Sequence, residues 1–180
     1  KRPGRSRGDI RKTSENIFVE HVAGRLRSFK GTGMRQKAWI GIDPGASGAI
    51  AIIHRSGNVN WIKNDSTEHE LADWLRDCAE AFDCSAIIEQ VNAMPKQGVS
   101  STFKFGKSFG FLIGLLTALR VPYELHRPQA WQKHMRCMTK GDKNVSKAAA
   151  QRLWPSTKIT HANADALLIA EFCRQIRNGR

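Results

Sequence analysis

Apolar residues fall into short runs and helical stripes along the chain, and their spacing sets the order of elements. Residues 38–43 (Ala-Trp-Ile-Gly-Ile-Asp) are an apolar run closing on an acid, which predicts a buried strand. A Gly-rich turn at 44–48 leads into a second strand, 49–53, and Ser56-Gly57-Asn58 turns the chain into a third, 59–63. Three such strands read as an antiparallel meander. Thr67 and Glu70 have the spacing of a capping box, and Leu71, Trp74, Leu75 and Cys78 mark one face of the helix that follows. Residues 85–89 (Ser-Ala-Ile-Ile-Glu) form a fourth strand, again ending on an acid. A strand–helix–strand crossover makes its flanking strands parallel, with a right-handed connection.

A loop at 90–101 then precedes a helix over about 102–119, and 121–126 fits a fifth strand. After Pro128 come a short helical piece, a Lys/Gly loop, a helix over about 144–153 and a last helix over about 162–177. The order βββαβαβα is that of one layered α/β domain, and 180 residues suit a single domain. The longest strongly apolar stretch, 109–119, is too short to span a bilayer and is flanked by Lys107 and Arg120. No membrane partner is expected.

Charge narrows the picture. The chain carries 29 Lys+Arg against 16 Asp+Glu, a formal net charge of +13, and its hydrophobic fraction of 41% excludes a wholly disordered basic tail. Such an excess on a folded domain points to a polyanionic partner. Residues 1–37 hold eleven basic and three acidic side chains, a net of +8, leaving a net of +5 on residues 38–180. This basic N-terminal arm lacks the apolar core of a secretory signal. It is Arg-rich, acid-poor and begins without Met, as expected of a trimmed chain or of a chain left after removal of an organelle-targeting peptide. Ile17, Phe18, Val22, Leu26 and Phe29 behind Thr13 and Ser14 predict a short helix within it. Cys78, Cys84, Cys137 and Cys173 show neither a Cys-x-x-Cys pair nor zinc-finger spacing, so four free thiols in a reducing compartment are expected.

The acids carry the chemistry. Asp43 and Glu89 each close a hydrophobic strand, and if those strands are parallel neighbours both emerge at one carboxyl edge. Asp165 sits near the start of an otherwise apolar helix, sharing a face with His161 four residues before it. Singly, Asp43 before Pro-Gly reads as a turn former and Glu89 as a strand-end charge. Jointly, three carboxylates at one edge repel each other, and Mg²⁺ or Mn²⁺ relieves that by taking hard oxygen ligands. Two such ions suit in-line attack of water on a phosphodiester.

Gly41-Ile42-Asp43-Pro44-Gly45, Gly48-Ala49-Ile50-Ala51, Ile87-Ile88-Glu89-Gln90 and Ala164-Asp165-Ala166-Leu167 together resemble the RuvC branch of the ribonuclease-H-like superfamily. The stretch Glu89-Gln90-Val91-Asn92-Ala93-Met94-Pro95, with Gln97-Gly98-Val99-Ser100-Ser101, is most similar to phage RuvC-like resolvases and the plant chloroplast Holliday junction resolvase. The resemblance spans about residues 38–175 and leaves the arm uncovered. It implies a five-stranded mixed sheet with helices on both faces and a metal site of four ligands. Asp43, Glu89 and Asp165 match three. The fourth position departs from the family pattern, being Ala162, and His161 is the natural substitute. The resemblance also implies a homodimer that nicks four-way DNA junctions symmetrically, leaves 5′-phosphate and 3′-hydroxyl ends, and works in a chloroplast, with a phage or bacterial cytoplasm as the alternative.

Lys104 and Lys107 at a helix start, and Lys133, Arg136, Lys140, Lys143 and Lys147 around Gly141, supply positive charge for DNA backbone outside the acidic pocket. Lys143 is placed to reach the scissile phosphate or the attacking water. Gln97, in the loop that precedes Lys104 and Lys107, is a further DNA-binding candidate. Phe103 and Phe105 are candidates to wedge or stack on bases, although an aromatic at helical spacing is more often a core residue. Gly106, Gly110 and Gly114 recur every four residues, a stripe suited to close approach of the sheet or of a second subunit. Three further functions compete. A sugar-kinase-like phosphotransferase shares an Asp-x-Gly first hairpin but needs two such domains, so no small-molecule nucleotide is expected. A general ribonuclease-H-like nuclease acting on hybrids is the runner-up, and the presence of all three acids argues against a non-catalytic junction-binding protein.

Overall fold

The computed structural model describes residues 35–90, 98–139 and 141–179. The helix expected in the basic arm, Gln97 and Lys140 lie outside the described residues. The elements run β1 (Lys37–Ile42), β2 (Ala49–His54), β3 (Val59–Lys63), α1 (Glu68–Ala81), β4 (Asp83–Glu89), α2 (Val99–Ala118), β5 (Tyr123–His126), α3 (Pro128–His134), α4 (Lys143–Leu153) and α5 (His161–Arg177). Five strands form one sheet in the order β3-β2-β1-β4-β5. The meander is antiparallel, and β4 runs parallel to both β1 and β5, as the crossover rule requires. Among the described residues no helix is long and apolar enough to cross a membrane.

Strand alternation divides the core into two layers. On one face Ile40 lies opposite Ile52 and Ala86, and Ile42 opposite Ile50 and Ile88, all fully buried. Helix α1 covers this face with Leu71, Trp74, Leu75 and Cys78, and Cys84 on β4 donates to the Cys78 carbonyl at 3.4 Å. Its start is the expected capping box: Thr67 Oγ1 accepts from the Glu70 amide, and Glu70 accepts from the Thr67 amide at 2.7 Å. On the other face Trp39, Ala49, Ala51 and Ile87 join a cluster built from α5, with Ala164, Ala166, Leu167, Leu168 and Phe172, and from α3 and α4. All four cysteines are buried free thiols.

One point controls how closely α5 lies on the sheet. A Cβ on Gly41, in the middle of β1, would overlap the Ala170 amide nitrogen and the Ala166 carbonyl oxygen. Both obstacles are helix backbone, which cannot rotate away. The helix therefore crosses the central strand where neither presents a large side chain.

Helix α2 corrects two expectations. It begins at Val99 rather than near 102, because Gly98 occupies the N-cap without a side-chain hydrogen bond and leaves no capping signal to read. Its glycine stripe does not receive the sheet. A Cβ on Gly106, Gly110 or Gly114 meets nothing within 4 Å, and the helix buries Leu112 and Leu116 instead.

Two substitutions follow from this contrast. Gly41→Ala is expected to destabilise the fold by about 3 kcal/mol or more, as overpacking against unyielding atoms does. At concentrations dilute enough to keep the chain monomeric, Gly110→Ala, in an exposed helix interior, should stabilise it by up to about 1 kcal/mol. Urea unfolding midpoints of the two variants, moving in opposite directions from wild type, check both.

Candidate active site

Register brings the first two acids together. Ile42 pairs with Ile88 across β1 and β4, so the next residues, Asp43 and Glu89, leave the sheet side by side. Asp43 is locked in place by its own turn. Its amide donates to the Ala49 carbonyl at 3.1 Å, and its Oδ1 accepts from the Gly45 amide at 3.0 Å. The Asn64 side-chain amide donates to the carbonyls of Asp43 at 2.5 Å and Gly45 at 2.8 Å. Gly48 makes the room: a Cβ there would lie 2.6 Å from Asp43 Cγ and 2.7 Å from its Oδ2. Asn64 was not singled out by any motif, because its partners are backbone atoms some twenty residues upstream.

Glu89 is half-buried, and its Oε2 accepts from the indole N–H of Trp131 at 2.7 Å. Asp165 enters from α5, whose first turn is fixed by a second capping box in which Asn163 takes the usual acidic place: the Thr160 amide donates to Asn163 Oδ1 at 2.7 Å. Asp165 Oδ1 is buried without a hydrogen-bond partner, as is the hydroxyl of Ser146 on α4. Ser146 is nonetheless near enough to favour the ionised form of Asp165.

The three carboxylates feel one another. Burial raises Glu89 to about 7, with the Asp43 charge adding to the rise and the Trp131 hydrogen bond opposing it. Burial likewise raises Asp43, against the pull of the Gly45 amide, with the Asp165 charge contributing. Burial also lifts Asp165 above the ordinary carboxylate range. Lys143, the first residue of α4, lowers all three. The Asp142 N-cap sets that helix start by accepting from the Asn144 amide at 2.9 Å. His161, one turn before Asp165, favours the Asp165 charge while its ring stays exposed.

As they stand, no three His, Cys, Asp or Glu side chains among the described residues are drawn together tightly enough to hold one ion. Asp43, Glu89 and Asp165 therefore stand near one edge of the sheet without closing around a single ion. The chemistry of these acids still fits a hard divalent cation: three oxygen donors whose proton affinity burial raises, with an orphaned Oδ1 on Asp165.

Among the described basic residues, Lys143 alone contributes to the electrostatics of all three acids. Lys104 is exposed on α2, and Lys107 ion-pairs with Glu68 at 3.0 Å, both side chains well over half exposed. Lys133 is exposed at the end of α3, with Arg136 just beyond it, and Lys147 lies one turn after Lys143. Phe103 is 74% exposed, not a core residue, whereas Phe105 stacks on Phe109 with ring centroids 5.9 Å apart.

The shifts give metal-free stability a pH dependence. The folded state holds the Glu89 proton more tightly than the unfolded chain, so this stabilisation is full below about pH 4.5 and is lost as pH rises through about 7. Between about pH 5 and pH 8 the loss is on the order of 2 kcal/mol. Urea midpoints of metal-free wild type should fall over that range, and those of Glu89→Gln should fall distinctly less.

No protein-family model matches this chain, and no curated protein sequence does. Solved structures do match its fold. The Thermus thermophilus RuvC structure superposes with a TM-score of 0.50 at 15% identity, over 79% of this chain and 96% of that one. T. thermophilus RuvC in complex with Holliday junction substrate gives 0.51 at 16% identity over the same shares. The five-stranded mixed sheet, with helices on both faces and acids at its carboxyl edge, is the RuvC-type form of the ribonuclease-H-like fold.

Proposed function

We propose that this chain is a metal-dependent endonuclease that resolves four-way DNA junctions. One observation carries the reading: the β1–β4 register sets Asp43 and Glu89 side by side where the strands end, and Asp165 on α5 and Lys143 on α4 lie within electrostatic reach of both. Asp43, Glu89 and Asp165 would hold Mg²⁺ or Mn²⁺, two ions per site, and His161 would complete the set. Bound there, the ions would supply Lewis-acid stabilisation for in-line attack of water on a phosphodiester. Lys143, at the start of α4 and within electrostatic reach of the three acids, would add positive charge as phosphoryl oxygens gain negative charge. Breaking the bond to the 3′ oxygen leaves 5′-phosphate and 3′-hydroxyl ends that a ligase can join.

Lys104, Lys107, Lys133 and Lys147, partly or fully exposed, are suited to backbone phosphates rather than to bases. Exposed Phe103, at the head of α2, is suited to stacking on unpaired bases at a junction centre. The open glycine stripe of α2 leaves a smooth face for a second copy, and a homodimer would present two sites to strands of like polarity. A junction-bound RuvC among the matching folds supports four-way DNA as the substrate. The Glu89-to-Ser101 stretch supports kinship with the plant chloroplast resolvase and, with the basic arm, a chloroplast nucleoid setting.

A nicking assay on a mobile four-way junction tests the reading. Wild type with Mg²⁺ should nick two strands symmetrically, in preference to duplex or RNA–DNA hybrid, and without Mg²⁺ should only bind. Asp43→Asn and Lys143→Ala should each cut at least about 10²-fold more slowly while still binding the junction. Preference for the hybrid would make the chain a general nuclease, and undiminished cleavage by Asp43→Asn would dismiss the site. Sedimentation should show a dimer at working concentration; a strict monomer would remove the α2 interface.

A further inference from the structure

Helix α3 has seven residues, and Trp131 is its one buried side chain. That indole is fully buried in the cluster shared with Trp39, Cys137 and Leu168, so its ring cannot turn without disturbing the core. Its polar edge ends on Glu89 Oε2 at 2.7 Å, forty-two residues away in sequence. The single core contact of α3 therefore also touches a candidate ligand.

Resting on the function proposed above, we propose that Trp131 is a positioning residue: its indole N–H fixes Glu89 Oε2 and so assigns Oε1 to the metal. A glutamate has three side-chain torsions, and a free carboxylate at the end of a strand samples several orientations. A single donor on a rigid ring selects one. The indole suits this duty because it only donates, never accepts and does not titrate, so it cannot compete as a ligand. A buried Trp N–H does need an acceptor, and a carboxylate held merely for that purpose would gain nothing from metal. The two roles differ in what removal of the N–H alone does to metal binding. Groups that orient a ligand from behind typically govern affinity about 10- to 100-fold.

The test titrates Mn²⁺ into the full metal-free chain without DNA, reading free Mn²⁺ by electron paramagnetic resonance. Trp131 is replaced by 3-benzothienylalanine, which keeps the ring shape and puts sulfur in place of N–H, and separately by Phe. Both variants should bind Mn²⁺ at least about 10-fold more weakly than wild type. In a Glu89→Gln background the benzothienyl replacement should cost nothing further, which a purely structural role would not produce. If Trp131→Phe does not fold, the isosteric replacement decides alone. Wild-type Mn²⁺ affinity in a folded benzothienyl variant overturns the proposal and leaves the metal reading intact. Failure of wild type itself to bind Mn²⁺ saturably overturns both.

Discussion

Everything in this molecule that looks like chemistry depends on how near α5 can come to β1. The contact is backbone against backbone: Gly41 faces the Ala166 carbonyl and the Ala170 amide with no space for even a methyl group. A helix held further out would leave Asp165 apart from Asp43 and Glu89, whatever the register between the strands. Small residues on both partners thus set a distance, and the distance creates an electrostatic site. The stability of the central layer and the geometry of the acids are consequences of one packing decision.

The second constraint is the cost of what that packing brings together. Withdrawal from water raises the proton affinity of all three carboxylates, and neighbouring acid charge adds to the rise at Asp43 and Glu89. The surrounding protein answers only in part. Gly45 gives Asp43 one amide, Trp131 gives Glu89 one indole N–H, and Lys143 spreads a single charge over all three. Asp165 Oδ1 receives no hydrogen bond. In a chain with a net charge of +13, local negative charge left so weakly compensated has the character of a site built to receive cations.

Much of this was legible in the sequence, and for identifiable reasons. Strands closing on Asp43 and Glu89 stood out because an acid interrupts an apolar run. The crossover helix stood out because Thr67 and Glu70 make a local capping signal, and the structure has both of its hydrogen bonds. Distant contacts were not legible. Trp131 reads as one more core aromatic, and only tertiary packing aims its N–H at Glu89. Asn64 and Gly48 act on Asp43 through backbone geometry, which leaves no pattern along the chain. The glycine stripe of α2 was visible, yet its orientation was not, since periodicity gives a face without saying what lies opposite. Helix α2 starts early because the residue at its N-cap is a glycine, the residue that advertises least.

The central claim is that the acids of β1, β4 and α5 form one cation site, and anomalous diffraction from crystals of the metal-free protein soaked in MnCl₂ tests it most directly. Strong anomalous density should lie between the carboxylates of Asp43, Glu89 and Asp165, and it should be absent from Asp43→Asn crystals soaked alike. Manganese found elsewhere on the surface, with the three acids empty at saturating concentration, would contradict the claim.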